Sequence, residues 1–228
     1  MSRIRTASAA ILLLAGLAPA LSAQTFSVKK QVKGEETLFS FNVGLWYTRI
    51  ENRARTTQSI AQTFGPVLNG RMDVLRRWSI GVNYVYLRQD FKGSMTEPYL
   101  LYWITPRDEG RDLILAAFLG HHTGRFDFKG PQKRFVFPSG QVNRFHDSGL
   151  FGGLQGWYDF LPNWDVKGLV GWYPQQPGSN FFDSEEMHPI YALGIGHKVA
   201  RNWEISLMGA VSPIQSDALI FATVTFWL

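Results

Sequence analysis

His146-Asp147-Ser148 is the pattern in this chain best suited to bond-breaking chemistry. In an extended strand alternate side chains share a face. His146 and Ser148 would therefore project together, as a general base and the hydroxyl nucleophile it activates must. The other histidines offer less. His121 and His122 are adjacent, point to opposite faces of a strand and cannot ligate one metal. His188 and His197 lack partners at metal-ligand spacing, so no metal site is expected. The glycines from Gly149 to Gly156 carry no phosphate-binding fingerprint followed by a helix, which leaves no cofactor signal. Two charged groups remain. Asp159, Asp165, Lys167, Lys198 and Glu204 mix signs, while Lys129, Lys133, Arg134 and Arg144 form a basic cluster facing the acidic run Asp183, Glu185 and Glu186.

Composition limits what can position these residues. Of 228 residues 45% are hydrophobic, 14% aromatic and only 18% charged, with no cysteine. A soluble domain carries about 25% charged residues. Disorder is excluded by the amount of apolar surface, and thiolate metal sites, disulfides and a cysteine nucleophile by the missing thiols. Arg3 and Arg5, the apolar run from Ala9 to Leu17 and the small residues through Ala23 have the form of a secretory signal. Residues 1–23 are read as that peptide, cut after Ala23 or alternatively after Ala20. The run is too short for the roughly 20 residues of a spanning helix. Residues 24–36 follow as an N-terminal periplasmic segment and 37–228 as one domain. Without Arg3 and Arg5 the formal charge of +5 loses two units, too little left to suggest nucleic acid.

Period-two alternation dominates the domain. Phe39, Phe41, Val43, Leu45 and Tyr47 alternate with Ser40, Asn42, Gly44, Trp46 and Thr48, and similar runs start at Trp78, Trp164 and Trp203. Aromatic residues sit at the ends of apolar faces, as Trp164 and Trp172 do, and turn-like segments alternate with long ones at 128–145 and 174–187. These features, with a final strand from Asp217 to Leu228 that places Ile220, Val224, Phe226 and Leu228 on one face, resemble the small bacterial outer-membrane β-barrel proteins. The terminal strand departs from that class in ending on Leu228 and not on an aromatic residue. The resemblance implies an all-β, closed antiparallel transmembrane barrel in the bacterial outer membrane. It also implies contact with outer-membrane lipid and lipopolysaccharide, and recognition of the C-terminal strand by the barrel-assembly machinery. His146 and Ser148 are similar to the His-x-Ser element of the outer-membrane lipid A deacylases, although no Glu follows here before Glu185.

The pattern predicts about ten strands, near 37–50, 54–64, 74–91, 96–106, 111–127, 146–160, 164–174, 188–200, 203–213 and 217–228. Counts from eight to twelve fit, because the second segment is polar. Trp46, Leu87, Phe118, Phe151, Trp157, Leu169 and Trp227 are expected inside with Asp112, Gln155, Asp159, Asp165, Lys167, Lys198 and Glu204. Buried charges must be paired, so Lys167 and Lys198 are expected to be neutralised by Asp159, Asp165 and Glu204, as a plug or a constriction. The basic loop would face outward, toward lipopolysaccharide phosphates. Opposite it, the acidic loop would close the mouth or hold a divalent cation. The sequence therefore reads as a non-catalytic structural or narrow passive-transport, porin-like barrel, with room for a small solute or apolar ligand. The alternative is a lipid-modifying hydrolase using His146 and Ser148. A secreted β-sandwich is the third reading, separated from these by which face of each strand is buried.

Overall fold

The computed structural model describes residues 39–52, 59–89, 91–107, 112–128, 144–173, 188–211 and 218–228. The predicted signal peptide, the 24–36 segment, Lys129, Lys133, Arg134 and the acidic loop lie outside the described residues.

The strands are β1 Phe39–Asn52, β2 Ser59–Leu75, β3 Trp78–Arg88, β4 Phe91–Trp103, β5 Leu113–Phe128, β6 Arg144–Leu161, β7 Trp164–Tyr173, β8 His188–Ala200, β9 Trp203–Val211 and β10 Ala218–Trp227. Each pairs antiparallel with its chain neighbours, and β1 also pairs with β10, so the sheet closes on itself. Closure leaves no unpaired edge, a requirement for any sheet inside hydrocarbon. Among the described residues no helix is long and apolar enough to cross a membrane.

Burial follows the alternation inversely to a soluble protein. Leu45 is 65% exposed and its neighbour Trp46 only 3%. On β9, Trp203, Ile205 and Leu207 are exposed, while Glu204, Ser206 and Met208 are buried. The exposed face is apolar and the enclosed face mixed, which is the arrangement of a membrane-spanning barrel and the reverse of a sandwich core. Three two-residue turns close the chain-terminus end, each followed by an exposed tryptophan: Arg76-Arg77 before Trp78, Pro162-Asn163 before Trp164, Arg201-Asn202 before Trp203. The Trp78 ring lies 4.8 Å from Tyr102, Trp164 4.2 Å from His197 and Trp203 4.1 Å from Phe226, the first two pairs tilted and the last edge-on, forming an aromatic girdle at that rim. Exposed Tyr47, Phe64, Tyr84 and Trp172 lie toward the other rim.

The second strand corrects the sequence reading, since β2 runs to Leu75 and not to residue 64. Gly65-Pro66 and Asn69-Gly70 have turn composition, yet the register with β3 ends at Val67↔Val85. Pro66 therefore sits beyond that ladder, where a missing N–H costs no bond to β3. Asn69 points inward to a hydrogen-bond partner instead of capping a turn. Asp112, expected in the lumen, is exposed at the start of β5. β4 starts five residues before the expected 96 and ends at Trp103.

Candidate functional site

The lumen is lined by alternate residues of all ten strands, and most of its polar members among the described residues fall into three groups. The first is a row running across the strands at one register. Asn42 on β1 donates from Nδ2 to Asn69 Oδ1 on β2 at 3.0 Å, and Asn69 Nδ2 reaches Asn83 Oδ1 on β3 at 2.5 Å. Asn83 Nδ2 donates to Glu97 Oε2 on β4 at 3.1 Å, whose Oε1 lies 3.0 Å from His122 Nδ1 on β5. Asn69 Nδ2 is also 3.0 Å from Tyr99 Oη. On the other side, register places Thr225 opposite both Asn42 and Glu204. Seven neighbouring strands thus contribute one buried polar residue each to a continuous row.

The second group closes the short-turn end. Arg107, from the segment after β4, folds back into the barrel and is 2% exposed, its Nη1 2.7 Å from Asp73 Oδ2. Ser79 Oγ donates to Asp73 Oδ1 at 2.6 Å, and Trp103 Nε1 donates to Ser79 Oγ at 2.9 Å. The guanidinium carbons of Arg107 and Arg71 lie 4.4 and 5.3 Å from the Trp103 ring centroid, a cation–π arrangement. Burial lowers the Arg107 pKa from its ordinary range, and the Asp73 carboxylate opposes that shift.

The third group contains the five luminal charges singled out in the sequence. Lys167 Nζ hydrogen-bonds Glu204 Oε1 and donates to Ser206 Oγ at 2.7 Å, with Asp165 Oδ1 at 3.8 Å. Ser206 Oγ in turn donates to Glu204 Oε1 at 2.6 Å. Lys198 Nζ pairs with Asp159, 3.2 and 3.3 Å from its two oxygens, in a half-buried position nearer the rim. The space between the groups is filled by rings. Trp103 and Trp157 are 5.6 Å apart, Phe118 and Phe151 6.1 Å, and Trp46 and Phe221 6.2 Å. Phe151 fits because Gly120 leaves room for it, and Tyr99 because Gly81 does. A Cβ at Gly120 would overlap the Phe151 ring, and one at Gly81 would overlap Tyr99.

The remaining sequence candidates are scattered. Ser148 is exposed on the outer face and pairs with Thr123, while His146 occupies the ladder position opposite Arg125, its side chain outside the described residues. Arg144 begins β6 opposite Asp127, far from the luminal charges. His121 faces outward and His122 inward, the opposition expected of neighbours on a strand. Among the described residues no three His, Asp or Glu side chains are grouped to hold a metal ion. The sequence reading missed the asparagine row and the Asp73–Arg107 pair. Inward parity of Asn42, Asn69 and Asn83 was the available signal for the first. A charged residue in a turn ordinarily stays in water, so nothing marked Arg107.

No protein-family model and no curated protein sequence matches the chain. Solved structures do. The translocator domain of the autotransporter NalP from Neisseria meningitidis aligns over 85% of this chain and 89% of its own, with 10% identity and a TM-score of 0.45. The KdgM porin aligns over 82% and 98%, with 10% identity and a TM-score of 0.41. The N-terminal β-barrel domain of Pseudomonas aeruginosa OprF aligns over 83% and 97%, with 9% identity and a TM-score of 0.36. The chain is thus similar in architecture to outer-membrane β-barrels, with no specific family among them.

Proposed function

We propose that this protein is a non-catalytic outer-membrane barrel with a closed lumen, a structural element of the membrane and not a conducting pore. One observation carries the reading: Glu204, Asp165 and Lys167, charged groups inside the barrel one to three residues in from the rim tryptophans Trp203 and Trp164, are 0%, 2% and 3% exposed. In a water-filled channel such groups keep their hydration. Here they are paired, Lys167 lying against both carboxylates and donating to Ser206, as buried charges must be. Barrels of about this size are filled by their own side chains, and Trp103, Trp157, Phe151 and Trp227 do the filling.

The test is reconstitution of the folded protein in planar bilayers. No discrete conductance steps are expected. Reproducible steps that scale with salt concentration would overturn the closed reading in favour of passive transport. Fractionation of cells by density tests the location, the protein being expected with the outer membrane.

A further inference from the structure

Basic residues collect on the outer face at one stretch of the long-loop rim. Arg88 ends β3, Lys92 stands near the start of β4 and Arg125 near the end of β5, and all three are exposed. The ladders set Arg88 directly opposite Lys92, Lys92 opposite Asp127, and Ser94 opposite Arg125. Like charges directly opposite on neighbouring strands repel. Among the described residues, Asp127 is the one carboxylate that the ladders set against these three cations. The rim therefore carries positive charge that an external anion would neutralise.

Below this row, polarity falls in steps along the same strands. Ser94 and Thr96 on β4 and Thr123 and His121 on β5 come next, with Thr123 Oγ1 3.3 Å from His121 Nδ1. Then comes an apolar groove of about 820 Å³ on the outer surface, with Leu68, Tyr84, Pro98 and Leu119 at its upper end and Ile80, Met72 and Phe39 where it runs on toward the short-turn rim. Gly70 contributes no side chain to its floor, and a Cβ there would be only in ordinary contact with Phe39. Tyr84 is four residues from Arg88, and Leu119 six from Arg125. At about 3.3 Å per residue that is roughly 13–20 Å along the strand, less once tilt is included. One leaflet holds about half of the roughly 30 Å hydrocarbon core. The cations and the upper end of the groove are spaced as the head and tail contacts of one amphiphile.

We propose that this face binds a phosphorylated glycolipid of the outer leaflet, of lipid A chemistry. Phosphate oxygens meet Arg88, Lys92 and Arg125, sugar hydroxyls meet Ser94, Thr96 and Thr123, and an acyl chain occupies the groove. Guanidinium groups match phosphate in a forked, charge-assisted geometry. A zwitterionic headgroup brings its own cation to a surface already positive and fits less well. The inference rests on the outer-membrane reading above and adds the lipid class and the residues.

The experiment titrates the full-length barrel, folded in detergent micelles, with bisphosphorylated lipid A and with the same lipid dephosphorylated, and counts bound lipid by native mass spectrometry. Binding of the phosphorylated form is expected to exceed that of the other by about tenfold or more. The triple variant Arg88→Gln/Lys92→Gln/Arg125→Gln is expected to lose that margin while keeping its heat-modifiable mobility. Arg76→Gln/Arg77→Gln, at the opposite rim, keeps it. Gly70→Phe, which fills the groove, weakens both lipids. Equal binding of the two lipids, or an unchanged triple variant, overturns the inference. A protein that fractionates with the outer membrane yet shows no phosphate preference refutes only this assignment; one found elsewhere in the cell refutes the location.

Discussion

Replacing Lys167 by Met tests whether the lumen is dry. The substitution preserves most of the side-chain stem and removes the ammonium that lies between Glu204 and Asp165. Glu204 keeps the hydroxyl of Ser206 at 2.6 Å, one neutral donor where a charge stood. Lys198 is committed to Asp159. Breaking a buried pair on one side costs about 3–5 kcal/mol, most of it from the carboxylate left uncompensated. With a urea dependence of about 2.5 kcal/mol per molar, the unfolding midpoint should fall by about 1–2 M. Tryptophan fluorescence of the barrel in micelles reports that midpoint. The double variant Lys167→Met/Glu204→Gln removes the orphaned charge as well and should recover more than half of the loss, a coupling that a mutant cycle isolates. A midpoint that moves by less than about 0.3 M in the single variant would mean that water or ions already solvate these carboxylates. The closed-lumen argument would then fail at its base.

Other perturbations read other parts of the interior. Asp73→Asn removes the only carboxylate within reach of Arg107 among the described contacts and should release Arg107 from the barrel, so trypsin cleaves after Arg107 in the variant and spares the parent. Gly120→Val drives a branched side chain into the space held by the Phe151 ring, and the thermal midpoint should fall by the equivalent of about 1–3 kcal/mol. Ser148→Ala is expected to leave the acyl pattern of cellular lipid A as the parent protein leaves it. An acyl chain lost only when the parent protein is expressed, and retained with the variant, would restore the hydrolase reading.

The alternation of side chains made the barrel and the inward set of large rings legible, because a two-residue period with an exposed apolar face is written directly in residue order. Trp46 beside Leu45 is enough to orient β1. β2 was harder, since Pro66 and Asn69-Gly70 carry turn chemistry and only the pairing of β1 with Leu68 and Asn69 shows that the strand continues. Lys167, Asp165 and Glu204 were visible as inward charges, but their meeting depends on β7, β8 and β9 being neighbours at one register. The Arg88, Lys92 and Arg125 row is spread over 37 positions of sequence and becomes a patch only when three strands align. Local pattern fixes which face a residue occupies; cross-strand neighbours come from register, which no short segment encodes.

The asparagine row supplies part of that register. A slip of one residue between two strands would turn the whole apolar face inward and is excluded by hydrophobicity alone. A slip of two residues keeps every side chain on its own face, so burial cannot reject it. Moving β3 by two positions against β2 would set Asn69 opposite Gly81 or Val85 in place of Asn83. That would cost at least one buried amide its partner, at about 1–3 kcal/mol. The same holds at Asn42 with Asn69 and at Asn83 with Glu97, so each interface from β1 to β4 carries its own penalty. The two Nδ2 hydrogens of Asn69 are shared among three acceptors on β3 and β4, namely Asn83 Oδ1, Tyr99 Oη and, at 3.4 Å, Val82 O. Asn69 is therefore the position at which register is most strongly specified. Asn69→Leu, which keeps the number and branching of side-chain heavy atoms, should lower the yield of correctly closed barrel in refolding, read as the heat-modifiable fraction on gels, by more than it lowers the stability of the molecules that do close. If yield and stability fell together, the row would be ordinary packing and the shear of the barrel would be set elsewhere.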